Sequence, residues 1–223
     1  ISIENGPNWK IGERVQRIDV KDKVTGTGIY PDDIYVEGQL NAVAVRSKYP
    51  RAKVLSIDTN LALMVPDVIG VFTAEDIPGS RKVGHLKQDW DAIIGVGQVT
   101  RYLGDVIALV AAKTRQAAEK ARDLVKVKYE VLPFVSSPYE AMKENAPKVH
   151  ESGNLLGQTY VNRGDVEKAF KECAYIEEGH FSTPWTEHGF LEPECAFAFP
   201  TEKGVKIYSS DQGVYDTRRE TAP

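Results

Sequence analysis

The sequence predicts an α+β fold, on three observations. Strand-like and helix-like stretches alternate from about residue 15 to residue 140, without the even rhythm of a doubly wound sheet. The one glycine-rich pattern, "GVGQVT" at Gly95–Thr100, lacks the third glycine of a dinucleotide fingerprint and precedes a strand-like run instead of following one. A second unit, beginning near "NRGDVEKAF", runs to a final strand–turn–helix pattern, "IYSSDQGVYDTRRETAP".

Residues 1–14 read as an irregular leader. Gly26, Gly28 and Pro31 in "KVTGTGIYPDDI" predict turns ahead of the first strand, "GQLNAVAVRS". "AKVLSID" has the length and β-propensity of a second strand. Asp58 and Thr59 are placed to cap the short helical run "NLALMV", which Pro66 closes. "VIGVFTA" predicts a third strand, and Thr73-Ala74-Glu75-Asp76 a turn or a single capped helical turn. Residues 78–100, broken by Pro78, Gly79, Gly84, Gly95 and Gly97, predict a long excursion over the surface or into a partner. "YLGDVIALVAA" then reads as a buried strand. Thr114 caps a helix with Ala117, Ala118, Ala121, Leu124 and Val125 on one face. In "LVKVKYEV", Val125, Val127, Tyr129 and Val131 alternate with charged residues, the pattern of a half-exposed strand.

"SSPYEAMKENAPKVHESGN" has the composition of a linker. In the second unit Asp165 is an N-cap, and Val166, Ala169, Phe170 and Cys173 fall at i, i+3, i+4 and i+7, predicting a core face that includes Cys173. "CAFAF" puts Cys195, Phe197 and Phe199 on one strand face, and "TEKG" turns the chain into "VKIYSS". Ile207–Ser210 end that strand, Gln212-Gly213 make a turn, and Val214–Thr221 open a helix. The start at Ile1 and the stop just after a new helix begins are read as those of a piece of a longer polypeptide.

Composition narrows the function classes. Of 223 residues, 42% are hydrophobic and 27% charged, as in ordinary globular proteins. The formal net charge of −4 provides no basic footprint for nucleic acid. No apolar run approaches the length of a membrane span, so neither nucleic acid nor membrane is an expected partner. Two cysteines, Cys173 and Cys195, cannot ligate an iron–sulfur cluster and read as free thiols in a reducing, cytoplasmic setting.

His180, Glu187, His188 and Glu192 are the densest set of possible ligands or acid–base groups, but Pro184 interrupts them and their spacing matches no ligand run. Glu187 and Glu192 would also serve a small hydrolase, a weak signal because carboxylate pairs are defined in space. Neither cysteine adjoins a histidine, and no G-x-S-x-G elbow is present. His85 and His150 lie in loop-like stretches and are expected to be solvated.

Four pieces in collinear order carry a resemblance. These are "VTGTGIYPDDIYVEGQLNAVAVRSKYPRAKVLSIDTNLALMVPDVIGVFTAEDIPG", "TRYLGDVIALVAAKTRQAAEKARDLVKVKYEVLP", "NRGDVEKAFKECAYIEEGHFSTPWTEHGFLEPECAFAF" and the strand ending Ser209-Ser210-Asp211-Gln212. Together they resemble the molybdenum-binding subunit of the xanthine dehydrogenase / aldehyde oxidase family across roughly residues 13–220.

The resemblance implies an α/β hammerhead domain at residues 15–140, a linker at 141–159 and the incomplete beginning of a molybdopterin-binding domain at 160–223. It implies a molybdenum hydroxylase that oxidises a purine, a related heterocycle or an aldehyde with water as the oxygen source. The molybdopterin cofactor would be held only in the complete protein, with iron–sulfur and FAD partners and an oligomeric intact enzyme. By the same resemblance Gln212 contacts an oxo ligand of the molybdenum, with Gly213 as a second candidate contact. A carboxamide suits that role because it donates an N–H without adding charge. Where the family more often has Ser-Thr-Gln, this chain has Ser210-Asp211-Gln212, which adds a charge beside the site. His188 and Glu192 in "HGFLEPE" match a supporting segment, with Glu192 expected as a buried, hydrogen-bonded brace. The family's catalytic glutamate matches no residue here, so no catalytic residue is expected in this chain and the 223 residues alone should be inactive. A different class stays open beside this: a non-catalytic binding or assembly module that kept the hammerhead scaffold.

Overall fold

The computed structural model describes residues 11–190 and 192–221. Residues 1–10 of the expected leader, Leu191 and the last two residues lie outside the described residues. The backbone divides into two compact units. The larger comprises residues 37–187 and 213–221, the smaller residues 11–36 and 188–212.

In the larger unit, β1 (Asn41–Arg46) and β3 (Val68–Phe72) flank β6 (Val106–Ala112), antiparallel to it on either side. The central strand is the most apolar, and Ile107, Ala108, Val110 and Ala112 on it have no exposed surface. A second antiparallel pair joins β2 (Ala52–Asp58) to β7 (Lys126–Val131). The valine and lysine alternation of β7 divides as the sequence predicts through Tyr129, with Val127 and Tyr129 half-buried and Lys126, Lys128 and Glu130 exposed.

Local signals set most boundaries. Asp58 accepts the Asn60 N–H at 3.0 Å to open α2 (Asn60–Leu63). After β3, the Asp76 carboxylate accepts both the backbone N–H and the hydroxyl of Thr73, at 2.7 and 3.2 Å, closing a single 3₁₀ turn. Thr114 accepts the Ala117 N–H at 3.2 Å and starts α3 (Arg115–Leu124). Ala118 and Ala121 of α3 are fully buried, and Ala117 and Leu124 pack against the core built by Val45, Val54, Ile94, Ile107 and Val110.

Residues 78–100 are more than a surface excursion. β4 (Lys82–Val83) and β5 (Trp90–Asp91) form a short hairpin, Ile94 is fully buried, and its N–H reaches the Val106 carbonyl at 2.8 Å. Residues 97–100 run along β2, with the Val54 N–H to Gln98 O and the Thr100 N–H to Ala52 O, both at 2.9 Å. Of the glycines that suggested a loop, Gly84 and Gly95 permit close approach, a Cβ at the first meeting the Lys87 carbonyl oxygen and at the second the Ala74 Cβ at 3.2 Å. Residues 136–154, expected as a linker, carry α4 (Pro138–Ala141) and a knot of hydrogen bonds around Asn154. Its carboxamide accepts from Val149 N–H at 2.7 Å and donates to the carbonyls of Ala141 and Pro147 at 2.9 and 3.1 Å.

α5 (Val166–Glu172) starts where expected, with Asp165 accepting the Lys168 N–H at 2.9 Å. Its predicted core face is not buried, which corrects the placement of Cys173. Val166, Ala169, Phe170 and Cys173 are all exposed, because no described element covers that side of the helix.

The smaller unit holds α1 (Val20–Thr25), a helix where the sequence suggested only turns. Gly26 closes it in the left-handed region at φ 74°. A 3₁₀ turn at Pro31–Asp33 lies against the hairpin of β8 (Ala196–Thr201) and β9 (Gly204–Ser209). α6 (Val214–Thr221) follows and belongs to the larger unit.

Candidate functional site

The turn carrying Gln212 is built from the β8–β9 hairpin. Phe197 is buried, with ring neighbours Phe199 at 5.6 Å and, beyond it, Tyr208 at 6.2 Å. Past the last paired residues, the Cys195 N–H donates to the Ser210 hydroxyl at 2.9 Å, and the Ser210 N–H returns to the Cys195 carbonyl at 3.0 Å. These bonds hold the strand end in register. Ser209 donates its hydroxyl to the Asp211 carboxylate, so the extra charge beside the site has a local hydrogen-bond partner. Gln212 comes next and is exposed, and Gly213 is half-buried. The Gly213 carbonyl accepts the Thr217 N–H at 2.9 Å as the first bond of α6.

The Cys195 thiol in this hairpin is unsuited to nucleophilic work. Burial pushes its pKa up, and the neighbouring Asp32 carboxylate adds to the shift. His188 is exposed, and Glu192 is half-buried where a bracing carboxylate was expected to be buried; residues 188–190 and 192–195 form no regular strand to enclose it. His180 and Glu187 are exposed, and among the described residues no three His, Cys, Asp or Glu side chains gather as a metal site.

The larger unit contains a charge cluster with no local sequence signal. Asp91 is buried at the end of β5, and its two oxygens receive Lys82 Nζ at 2.9 Å, Gln98 Nε2 at 3.0 Å and Arg101 at 2.5 Å. Burial alone would raise the Asp91 pKa, but the hydrogen bonds from Lys82 and Arg101 outweigh it and hold the carboxyl below its ordinary value. Asp105 is also buried and accepts the Arg101 N–H at 2.8 Å. There burial dominates and the pKa is raised. The three partners of Asp91 lie 7 to 10 residues away along the chain, a spacing that no helix or strand period marks.

His150 is only partly solvated. Its ring stacks against Trp90 at 5.1 Å, Trp90 in turn meets Tyr102 at 5.5 Å, and Nδ1 lies 3.1 Å from Asp89 Oδ2. His85 lies 3.3 Å from Asp216 on α6.

Known sequences identify the family. Residues 25–133 match the a/b hammerhead domain of aldehyde oxidase and xanthine dehydrogenase, and residues 149–223 match a molybdopterin cofactor-binding domain. The chain belongs to the xanthine dehydrogenase / aldehyde oxidase family. Within that family it is 32% identical to the xanthine dehydrogenase molybdenum-binding subunit of Escherichia coli O157:H7, over 91% of this chain and 28% of that one. It is 30% identical to the nicotinate dehydrogenase large molybdopterin subunit of Eubacterium barkeri, over 95% of this chain and 50% of that one. The chain therefore spans between about a quarter and a half of these relatives' length. Among solved structures, an aldehyde oxidoreductase from Desulfovibrio gigas superposes with a TM-score of 0.84 at 30% identity, covering 93% of this chain and 24% of that one. Quinoline 2-oxidoreductase from Pseudomonas putida superposes at 0.74 and 27% identity, covering 89% and 26%. The expected fold, a hammerhead domain followed by the start of a molybdopterin-binding domain, is the one found. Among the described residues no helix is long and apolar enough to cross a membrane.

Proposed function

We propose that this family member contributes to the catalytic subunit of a cytoplasmic molybdenum hydroxylase that oxidises a ring carbon of a purine or related heterocycle, or an aldehyde, taking its oxygen from water. The observation that carries the reading is the paired match, hammerhead then molybdopterin-binding, in a chain that is similar over 91% and 95% of its own length to subunits whose names specify molybdenum or molybdopterin dehydrogenases. When bound, the molybdopterin cofactor supplies the two-electron redox centre of the reaction.

Gln212 suits a contact to such a group. Its carboxamide is exposed at a strand end that the Cys195–Ser210 bonds hold, and it offers an uncharged N–H donor to an electron-rich oxygen. Gly213 keeps the next position narrow. His188 and Glu192 support the chain leading into this hairpin and take no part in the chemistry. The electrons leave through iron–sulfur and flavin partner domains or subunits, in an oligomeric assembly. The 223 residues by themselves are inactive, since no residue in them serves as the catalytic base.

Turnover in isotopically labelled water tests the reading. The holoenzyme carrying this chain should hydroxylate at least one of xanthine, nicotinate, quinoline or a simple aldehyde with label incorporated from water, while residues 1–223 alone produce nothing. Labelled product from the isolated 223 residues, or no oxidation of any of the four classes by a molybdenum-loaded holoenzyme, would overturn it. The second outcome would favour the binding-module reading.

A further inference from the structure

The β8–β9 ladder ends in an irregular pair. The strands pair in one unbroken register, Ala196 opposite Ser209 and Phe197 opposite Tyr208, and the next pair in that register is Cys195 opposite Ser210. In a hydrogen-bonded antiparallel pair the two residues exchange both backbone bonds. Here one bond runs from backbone to backbone, the Ser210 N–H to the Cys195 carbonyl at 3.0 Å. The Cys195 N–H donates to the Ser210 hydroxyl at 2.9 Å, and that hydroxyl donates back to the Cys195 carbonyl at 3.3 Å.

One side chain thus stands where the Ser210 carbonyl would stand in a continuing ladder. A serine hydroxyl both donates and accepts, so it satisfies the half-buried Cys195 without keeping its own carbonyl in the strand. The backbone leaves the sheet at that point, since β9 ends at Ser209. Neighbouring contacts reinforce the exit. Ser209 donates its hydroxyl to the Asp211 carboxylate, which folds that side chain back on the strand. On the facing strand, the Cys195 thiol meets Asp32 of the 3₁₀ turn. Pro31 and the bond from the Tyr30 N–H to Asp33 at 2.9 Å keep that turn closed. All of these residues belong to the smaller unit, as does Gln212.

We infer that Ser210 is a positioning residue for Gln212, its hydroxyl taking the place of its carbonyl on Cys195 so that the ladder stops and the chain turns before the carboxamide. Were the ladder to run on through the Ser210 carbonyl, the strand would lengthen and Gln212 would lie along it, its face set by the two-residue alternation, instead of at its end. The inference rests on the reading of Gln212 as a cofactor contact. Ser210 takes no part in the chemistry; it acts through the backbone that leads to Gln212.

The test uses Ser210→Ala, Ser210→Thr, Gln212→Ala and the Ser210→Ala/Gln212→Ala double variant in the holoenzyme. The Cys195 amide should exchange about fivefold faster in Ser210→Ala, the scale of one hydrogen bond. There kcat should fall about tenfold with KM unchanged, and the molybdenum(V) paramagnetic resonance spectrum should move in the direction that Gln212→Ala moves it. Ser210→Cys, close in size but weak as a donor and acceptor, repeats the test without a cavity and should follow Ser210→Ala. Ser210→Thr keeps the hydroxyl and should restore exchange, spectrum and kcat. The double variant should turn over no more slowly than Gln212→Ala alone, because Ser210 acts only through that carboxamide. A parental spectrum in Ser210→Ala and Ser210→Cys, a Ser210→Thr protein that behaves as Ser210→Ala, or a double variant whose two losses multiply would overturn the positioning role and leave the reading of Gln212 intact. A Gln212→Ala protein with the parent's spectrum and kcat would remove the reading of Gln212 itself, and the positioning role with it.

Discussion

α3 and α5 begin with the same instructions and end in opposite environments. Each has a capping side chain bonded to an N–H three residues on, Thr114 to Ala117 and Asp165 to Lys168, and each repeats apolar residues at helical spacing. α3 buries Ala118 and Ala121 against β1, β6 and α2. α5 leaves Val166 48% and Phe170 52% exposed, and the chain beyond it exposes Tyr175, Phe181 and Trp185 almost completely. Periodicity specifies that a face is apolar; it does not specify what covers the face.

The contrast should appear in stability measurements. Ile107→Ala empties a fully buried site in β6 and should cost about 3 kcal/mol in urea unfolding. Phe170→Ser should change the same unfolding far less, by about 0.5 kcal/mol, because the residue is already more than half exposed. A large loss at Phe170 would mean that α5 is covered after all.

Asp91→Asn should be nearly as damaging as the cavity, about 3 kcal/mol, since it leaves Lys82 and Arg101 without their shared buried counter-charge. The pH dependence has a defined sign. Because the folded-state pKa of Asp91 is lowered, its contribution is in place above the ordinary carboxylate range and is lost as pH falls through the lowered value. Asp105, raised by burial, works in the opposite direction: its stabilising share is present at low pH and is lost as pH rises through the raised value. Asp91→Asn should therefore flatten the acid limb of the stability profile below about pH 4, read from unfolding midpoints across pH. An unaltered acid limb would assign that limb to other carboxylates.

The two caps offer a finer comparison. Thr114→Ala should lower global stability by about 1 kcal/mol, whereas Asp165→Ala should fray α5 and leave the global transition in place. Amide exchange read against denaturant separates the two. The smallest effect separates the cysteines. Cys173 is exposed and Cys195 is half-buried with a raised pKa, so a maleimide should label Cys173 first in the folded chain. Equal rates would contradict the closed hairpin around Cys195.

How legible each region was follows from the range of the interactions that shape it. β2 falls on "AKVLSID" as predicted, and the Thr73–Asp76 turn and the Thr114 and Asp165 caps follow from bonds within three residues. α1 was missed because a six-residue helix rich in Val, Thr and charge is too short to show a period. The packing of residues 91–100 was missed because glycines mark turns locally, whereas Ile94 and Thr100 are held by backbone bonds to Val106 and Ala52, partners that no local signal names. The Asp91 cluster and the His85–Asp216 contact join residues that no period links, the latter 131 positions apart by their numbers, and no spacing rule reaches them. Of the proposed site, the turn that carries Gln212 was legible as strand, turn and helix.

The most direct test of the central claim is the turnover of the holoenzyme with Gln212→Ala, measured alongside its molybdenum content. The account predicts that kcat falls about 100-fold, the scale for removing one donor from a developing charge, while molybdenum stays at the parent level. Unchanged kcat at full molybdenum content would contradict it and leave Gln212 as a solvent-facing turn residue.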